Sequence, residues 1–370
     1  MELTFRGIAE EAPGAAWLEV FQRGWPGWRS WYLARGGDRG PSVDEAARAL
    51  RRYMPELEGL WECLVSATNA GDEAARFLSF WRPPQYLVSC SQAVAVDSEG
   101  PSLVRNYDLN PELNEATMLL TRWRGRAVIG MVDGMAGLAD GMNDAGLAVS
   151  LSFGGRAVTG PGFGIPLIMR YLLEICSDVA EAIEALRAIP SHMSYNITLI
   201  DRNCEWATVF VAPDRPSIVM PTPWSVNHQL GNEWPRHCRI SNTLKRAAHL
   251  DSLYTSHPPS GSEMSAEFRR APLFSSGYSE GFGTVYTAEY RPHALTAALS
   301  WSDGTAHQWQ MNHFVPACLT VAYRSGGSTV LHASAKAISA APGHQNKITT
   351  RKLEWDRRRR SNPAAKQGKA

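Results

Sequence analysis

The stretch YLVSCSQAVAVDSEGPSLVRNYD, residues 86–108, decides how the rest of the chain is read. A single cysteine, Cys90, heads an apolar run from Ala93 to Val96. A polar turn over residues 97–102 follows, and a second short run carries Arg105 and Asp108. Two strand-like runs joined by such a turn predict a hairpin. Thiol, cation and carboxylate are then gathered on one element. A nearby cation depresses a thiol pKa, so Arg105 across from Cys90 favours thiolate. Asp108 is placed to orient a base. In a regular strand, however, residues three apart point to opposite faces. Arg105 and Asp108 both reach Cys90 only if the strand ends or bulges near Asn106–Tyr107.

Upstream, residues 1–89 are rich in helix signals and tryptophan. SVDEAARALRRYMPELEGLWECL opens with a capping box, Ser42 and Glu45, and Ala46, Leu50 and Met54 recur at helical spacing. Pro83 and Pro84 then break helix. Downstream come strand-like runs: SQAVAV, SLVRNY, RAVIGMV, LAVSLSF, YNITLID, WATVFVA, SIVMP, and later FGTVYTAEYRP and HFVPACLTVAYRS. Between LAVSLSF and YNITLID lies a helical pair, GIPLIMRYLLEIC and SDVAEAIEALRAI, the second opening on a cap and ending before Pro190. Hairpin-linked strands with helices predict an α+β protein, an antiparallel sheet covered by helices. The basic, apolar-poor end over 341–370, with its RRRR run, reads as a disordered tail rather than a nucleic-acid contact.

With 370 residues and 44% hydrophobic content, the chain can bury a large core. Its net charge of +1 supplies no field for nucleic acid or an anionic membrane. MELTFRGIAEEAPG lacks a basic segment followed by an apolar run, so no secretory signal is expected. No run of about 18 apolar residues predicts a membrane helix. The cysteines at 63, 90, 176, 204, 238 and 318 form neither a C-x-x-C pair nor a zinc-finger cluster with histidine. They read as reduced thiols of a cytoplasmic protein, with no metal and no cofactor expected. Most are small buried hydrophobes on this reading. The glycine-rich FGGRAVTGPGFG lacks phosphate-loop spacing and reads as a mobile loop near the site or a plain connection. DGMNDAG, Asp140 to Gly146, reads as a tight turn. Asn227, in WSVNHQL, follows an apolar strand and suits an oxyanion donor. His228 beside it either lines the site or makes a structural hydrogen bond. Taken singly, Arg105–Asp108 is equally a surface ion pair and Asn227 a strand terminator.

The order of SCSQAV…VRNYD, DGMNDAGLAVSLSF, YNITLID, SVNHQL, SNTLKRAAHL and TVYTAEYRP resembles the C45 peptidase family, the relatives of acyl-CoA:6-aminopenicillanic acid acyltransferase. More distantly it is similar to choloylglycine and penicillin V hydrolases. The resemblance spans most of residues 40–300. It implies an N-terminal nucleophile hydrolase, an αββα four-layer sandwich with two antiparallel sheets between helices. It also implies a precursor that cuts itself between Ser89 and Cys90. Residues 1–89 would be the helical pro-region or α chain, and 90–340 the catalytic β chain. Matched residue by residue, Cys90 is the nucleophile, Arg105 and Asp108 its flanking pair, and Asn227 the oxyanion asparagine. Arg246 is a distal arginine closing one charge network with Arg105 and Asp108. Ser152 and Phe153 lie where relatives donate an oxyanion hydrogen bond from the backbone. The implied activity is a cysteine amidohydrolase or N-acyltransferase on a linear amide, non-peptide or small and peptide-like. Its partners are a small-molecule amide or acyl donor, acyl-CoA included, and the two chains of one precursor. Neither nucleic acid nor membrane is implied, and a homo-oligomer stays open. Abundant tryptophan points to a hydrophobic acyl group. One departure is Ser89, where the family carries glycine, a residue that tolerates strained backbone. It keeps two alternatives open: an unprocessed thiol enzyme with another base, and a degenerate member that only binds an acyl ligand.

Overall fold

A computed structural model describes residues 1–87 and 89–334, and the expected tail over 341–370 lies outside them. The chain opens with strand β1 (Glu2–Glu10) and helices α1 (Ala15–Ala34), α2 (Val43–Tyr53), α3 (Pro55–Thr68) and α4 (Gly71–Ser79). Strands β2 (Ser89–Asp97) and β3 (Gly100–Leu109) form the expected hairpin, with Cys90 opposite Tyr107 and Gln92 opposite Arg105. Then come β4 (Thr117–Thr121), β5 (Val128–Asp133), β6 (Gly137–Asn143) and β7 (Ala148–Phe153). The helical pair is α5 (Ile165–Ile175) and α6 (Val179–Ala188), the latter capped by the Asp178 side chain. Strands β8 (Tyr195–Ile200), β9 (Trp206–Ala212), β10 (Arg215–Met220) and β11 (Trp224–Ser225) lead to α7 (Pro235–Ile240), α8 (Thr243–Ser256) and α9 (Gly261–Phe268). Five strands follow: β12 (Gly283–Arg291), β13 (Thr296–Ser300), β14 (Ala306–Gln310), β15 (Ala317–Arg324) and β16 (Gly327–Ser334).

Alternation along β2 and β3 sets the layers. Cys90, Val94, Leu103 and Tyr107 point into the main core between two sheets. Ala93 and Val104 point the other way, into a separate cluster with Ala247 and Leu250 of α8 and Met264 and Phe268 of α9. The smaller sheet runs β11-β2-β3-β12-β13-β14 and the larger β10-β9-β8-β7-β6-β5-β4-β1-β15-β16. β2 and β3 lie over β7 and β8, while α5 covers β6 and β7 and α6 covers β9 and β10. The layers are therefore helix, sheet, sheet, helix, the αββα sandwich the sequence implied. Pairing is antiparallel throughout both sheets except between β1 and β4.

That exception lies in the segment expected to be helical. Residues 1–89 do hold α1–α4, but they begin with a strand inside the larger sheet. β1 pairs in parallel with β4 over Arg6–Glu10 and antiparallel with β15 over Glu2–Gly7. Its inward residues are Phe5, edge-on to Trp301, and Gly7. A Cβ at Gly7 would stand 2.4 Å from Trp309 Nε1, so only glycine fits there. Too few apolar positions alternate in β1 to outweigh the helix signals that follow it. The capping box at Ser42 is half formed. Ser42 Oγ accepts from Glu45 N, but the Glu45 carboxylate turns away to Trp81 and Arg82. The turn read at DGMNDAG is shorter than expected. Asp140 lies within β6, and the chain reverses at residues 144–146, where Gly146 has φ +86°.

Candidate active site

β11 pairs with β2 only at Gln92 and Ala93, so the sheet ladder stops before Cys90. Side chains take over its function there. Asn227, just beyond β11, accepts from Cys90 N with Oδ1 at 3.1 Å. Arg246 of α8 donates from Nη1 to Cys90 O at 2.5 Å and from Nη2 to Asn227 Oδ1 at 2.6 Å. Two donors converge on that atom, so it must be the amide oxygen. Nδ2 then donates to Phe153 O at 3.1 Å, and its second proton has no partner among the described residues. Arg246 is fixed further by Ser91 Oγ at 2.7 Å and by Ser241 O. Asn227 N donates to Thr243 Oγ1 at 2.9 Å, which sets the loop between β11 and α8.

Arg105 approaches from the face between the sheets. Its Nη2 donates to Cys90 Sγ at 3.1 Å, and its guanidinium lies over the Tyr107 ring with Cζ 4.4 Å from the centroid. Its carboxylate partner is Asp140 of β6, bonded through Nη1, and both residues are fully buried. Tyr286 and Tyr290 of β12 donate their hydroxyls to Asp140 as well, Tyr286 at 2.9 Å. Asp108 sits on the opposite face of β3. It accepts from Thr284 Oγ1 at 2.8 Å and lies 3.9 Å from Arg246 Nη1. The irregularity in this ladder falls in β12, between Thr284 and Tyr286, and not in β3. β3 therefore stays regular and its residues alternate. The single network expected for Arg105, Asp108 and Arg246 is two networks, one on each face, meeting at Cys90.

Burial dominates the electrostatics. It pushes the Cys90 thiol up to about 11, against the downward pull of Arg105 and Arg246. Arg105 loses solvation too, but the anionic and phenolic groups around it hold its pKa well above the usual arginine range. Arg246, with fewer anionic neighbours, is lowered by burial. Burial also lowers His228, with Arg246 adding to the effect.

The remaining expected residues fall around this centre. Ser89 is buried opposite Asp108, in extended strand, and its backbone is not in the left-handed region where glycine would be needed. Ser152 Oγ donates to Val226 O at 2.9 Å, and Ser152 pairs with Asn196 across β7–β8. Phe153 offers its carbonyl to Asn227, with its ring packed edge-on against Tyr195 and His237. His228 is bound at Nδ1 to Thr243 Oγ1, 3.0 Å away. The glycine-rich loop lies against the site: a Cβ at Gly155 would stand 2.4 Å from Asn227 O. Sequence reasoning missed Asp140, Tyr286 and Tyr290. The signal for Asp140 was a lone carboxylate in a strand whose every residue is buried. It also missed a cavity of about 40 Å³ lined by Trp28, Trp31, Phe77, Tyr86 and Tyr195. Tyr86 stands between the cavity and the site, its hydroxyl 2.7 Å from that of Tyr107. Among the described residues no group of three His, Cys, Asp or Glu is placed to hold a metal, and no helix is long and apolar enough to cross a membrane.

A family model for acyl-coenzyme A:6-aminopenicillanic acid acyl-transferase matches residues 96–306, over half the chain. The match contains Arg105, Asp108, Asn227 and Arg246 and begins six residues after Cys90. No curated protein matches by sequence. Among solved structures, a mutant conjugated bile acid hydrolase from Clostridium perfringens is similar at 14% identity, covering 60% of this chain and 92% of that one, TM-score 0.40. Penicillin V acylase from Agrobacterium tumefaciens is similar at 12% identity over 62% and 91%, TM-score 0.41. A Caenorhabditis elegans N-acylethanolamine-hydrolyzing acid amidase ortholog is similar at 15% identity over 55% and 93%, TM-score 0.40.

Proposed function

The chain belongs to the acyl-coenzyme A:6-aminopenicillanic acid acyl-transferase family, and from that premise we propose a self-processing cysteine amidohydrolase or N-acyltransferase working through a Cys90 acyl-enzyme. One observation carries the reading: both reactive atoms of a single residue are already served. Arg105 Nη2 stands 3.1 Å from Cys90 Sγ, and Asn227 Oδ1 stands 3.1 Å from Cys90 N.

In the uncut chain Sγ attacks the Ser89 carbonyl carbon. The S–C bond forms, the Ser89–Cys90 C–N bond breaks, and the thiol proton passes to the departing nitrogen. Water opens the thioester, leaving a carboxylate on Ser89 and a free thiol and α-amine on Cys90. An α-amine has an ordinary pKa of about 7.7–8.0, so it serves as base for its own thiol. Cys90 Sγ then attacks a linear amide, and the proton taken by the amine is returned to the leaving group. The second Nδ2 proton of Asn227 is the donor for the oxyanion. Water resolves the acyl-enzyme to an acid, and an amine resolves it to a new amide.

A fully buried thiol with a pKa of about 11 is a poor nucleophile for an outside substrate. This favours processing before turnover over an unprocessed thiol enzyme. Aromatic cavity walls favour a hydrophobic acyl group. β1 is paired on both edges, so residues 1–89 stay in place after the cut. Intact mass and N-terminal sequencing test the proposal. Expected are chains 1–89 and 90–370 in active protein, and one uncut, inactive chain in Cys90→Ala. Fully active enzyme whose only N-terminus is Met1 overturns it. Cut protein that no thiol-directed acyl probe labels is a binding protein instead.

A further inference from the structure

We infer that Asp140 is the positioning residue that holds Arg105 against the Cys90 sulfur and sets how much of the guanidinium charge that sulfur feels. The catalytic meaning of this rests on the reading of Cys90 as nucleophile. Arg105 divides its two terminal nitrogens: Nη1 binds the Asp140 carboxylate, and Nη2 is left for Sγ at 3.1 Å. The guanidinium fork is planar and rigid, so anchoring Nη1 fixes where Nη2 points.

Asp140 is itself held on three sides. β6 carries it, and Tyr286 and Tyr290 donate to its Oδ2 and Oδ1 from β12. Tyr286 also accepts from Arg105 Nη1 at 3.3 Å, and Tyr107 lies beneath the guanidinium. The neighbouring Gly141 turns away, towards Leu173 of α5, so alternation points Asp140 to the opposite face, where the other sheet lies. A guanidinium buried this completely needs an anionic partner. Here it has two candidates, a carboxylate and a sulfur, competing for one positive charge.

The titratable and charged groups around the pair are Cys90 from β2, Tyr107 from β3, Asp140 from β6, and Tyr286 and Tyr290 from β12. Asp108 and Arg246 act on Cys90 from the helix side and do not bond Arg105. A carboxylate that merely filled the core would leave the thiol's titration alone. One that shares Arg105 with the sulfur moves it.

Thiolate formation, followed by ultraviolet absorbance in the full chain with Cys90→Ser as blank, reads this directly. Asp140→Asn keeps an oxygen for Nη1 and removes the charge, so the sulfur gains the guanidinium. The Cys90 midpoint should fall by about one pH unit or more. Alkylation of Cys90 at a fixed pH below the midpoint should rise about tenfold. An unchanged or raised midpoint overturns the inference. If Asp140→Asn does not fold, thermal melting of Arg105→Met against the double variant Arg105→Met/Asp140→Leu decides. The double variant removes both charges and should melt higher than the single one, which leaves Asp140 buried without its cation. An equal or lower Tm overturns the pairing. Failure of the nucleophile reading appears elsewhere, as undiminished turnover in Cys90→Ala, which none of these measurements uses.

Discussion

Arg105 and Arg246 are both buried guanidiniums bonded to Cys90, one from each face of the β2–β3 hairpin, and they act on different atoms of it. Between the sheets, Arg105 reaches the sulfur and is balanced by a close carboxylate, Asp140. On the helix side, Arg246 reaches the backbone carbonyl and the Asn227 amide, and its nearest carboxylate, Asp108, is 3.9 Å away. Burial lowers the Arg246 pKa, whereas the groups around Arg105 hold it well above the usual range despite burial. Arg246 is thus a clamp on the main chain built largely from neutral acceptors. Arg105 is an electrostatic element aimed at the thiol. A strand edge left open by the short β11 created the need for the first, and the packing of β6 against β12, next to the hairpin, supplied the second.

Substitutions on the two faces should separate these roles. The largest effect is expected on the helix side. Arg246→Leu or Asp108→Asn leaves a buried partner uncompensated, which costs about 3–5 kcal/mol. Denaturant unfolding should show that loss, with cutting at Ser89–Cys90 impaired alongside it. Stability within about 1 kcal/mol of the parent would show that the buried 3.9 Å contact between Arg246 and Asp108 is worth no more than a surface pair. Asn227→Ala comes next. Losing one oxyanion donor lowers kcat by about 100- to 1000-fold, read by steady-state kinetics on cut enzyme. Near-normal kcat would leave Asn227 as an anchor for Cys90 N alone.

A smaller effect separates the uncut from the cut chain. Raising pH deprotonates the thiol. With a folded value of about 11, the thiolate fraction of the uncut chain grows about tenfold per pH unit below that point. Self-cleavage half-times should shorten by that factor between roughly pH 7 and 10. Turnover by cut enzyme should level off near pH 8, where the α-amine titrates. Parallel profiles would remove the amine from the mechanism. The smallest effect belongs to Ser89→Gly. Ser89 is in ordinary extended strand, so glycine relieves no strain. It should cost only about 0.5–1 kcal/mol of stability and change the cleavage rate within a few-fold, as followed by intact mass. Much faster cutting would show that Ser89 restrains the reaction.

The hairpin, its cysteine and the α5–α6 pair were legible because each is a local pattern: alternation, a turn, a cap, a helical stripe. The strands read from the sequence match β2, β3, β5, β7–β10, β12 and β15. β1, β4, β6, β11, β13, β14 and β16 went unread. They are short, glycine-bearing or weakly alternating, and they persist because neighbours on either side satisfy them. The site shows the same division. Cys90, Arg105 and Asp108 share one hairpin, and their opposite facing followed from the period of a strand. Asp140 looked like a turn residue because aspartate and glycine are turn formers, and its partners lie 35 and about 150 positions away.

The sequence by itself determined the alternation of strands and helices and, through the order of its motifs, the family and the αββα architecture that family implies. Those are properties of periodicity and of motif order, which do not depend on what lies across the core. Only the tertiary structure decided how the charges are shared. Which carboxylate neutralises Arg105, what caps the open edge of β2, and how deeply the thiol is buried all depend on elements far apart in the chain. In a core of low dielectric, a charge must find its partner by proximity in space, and proximity across two packed sheets is set by the fold as a whole.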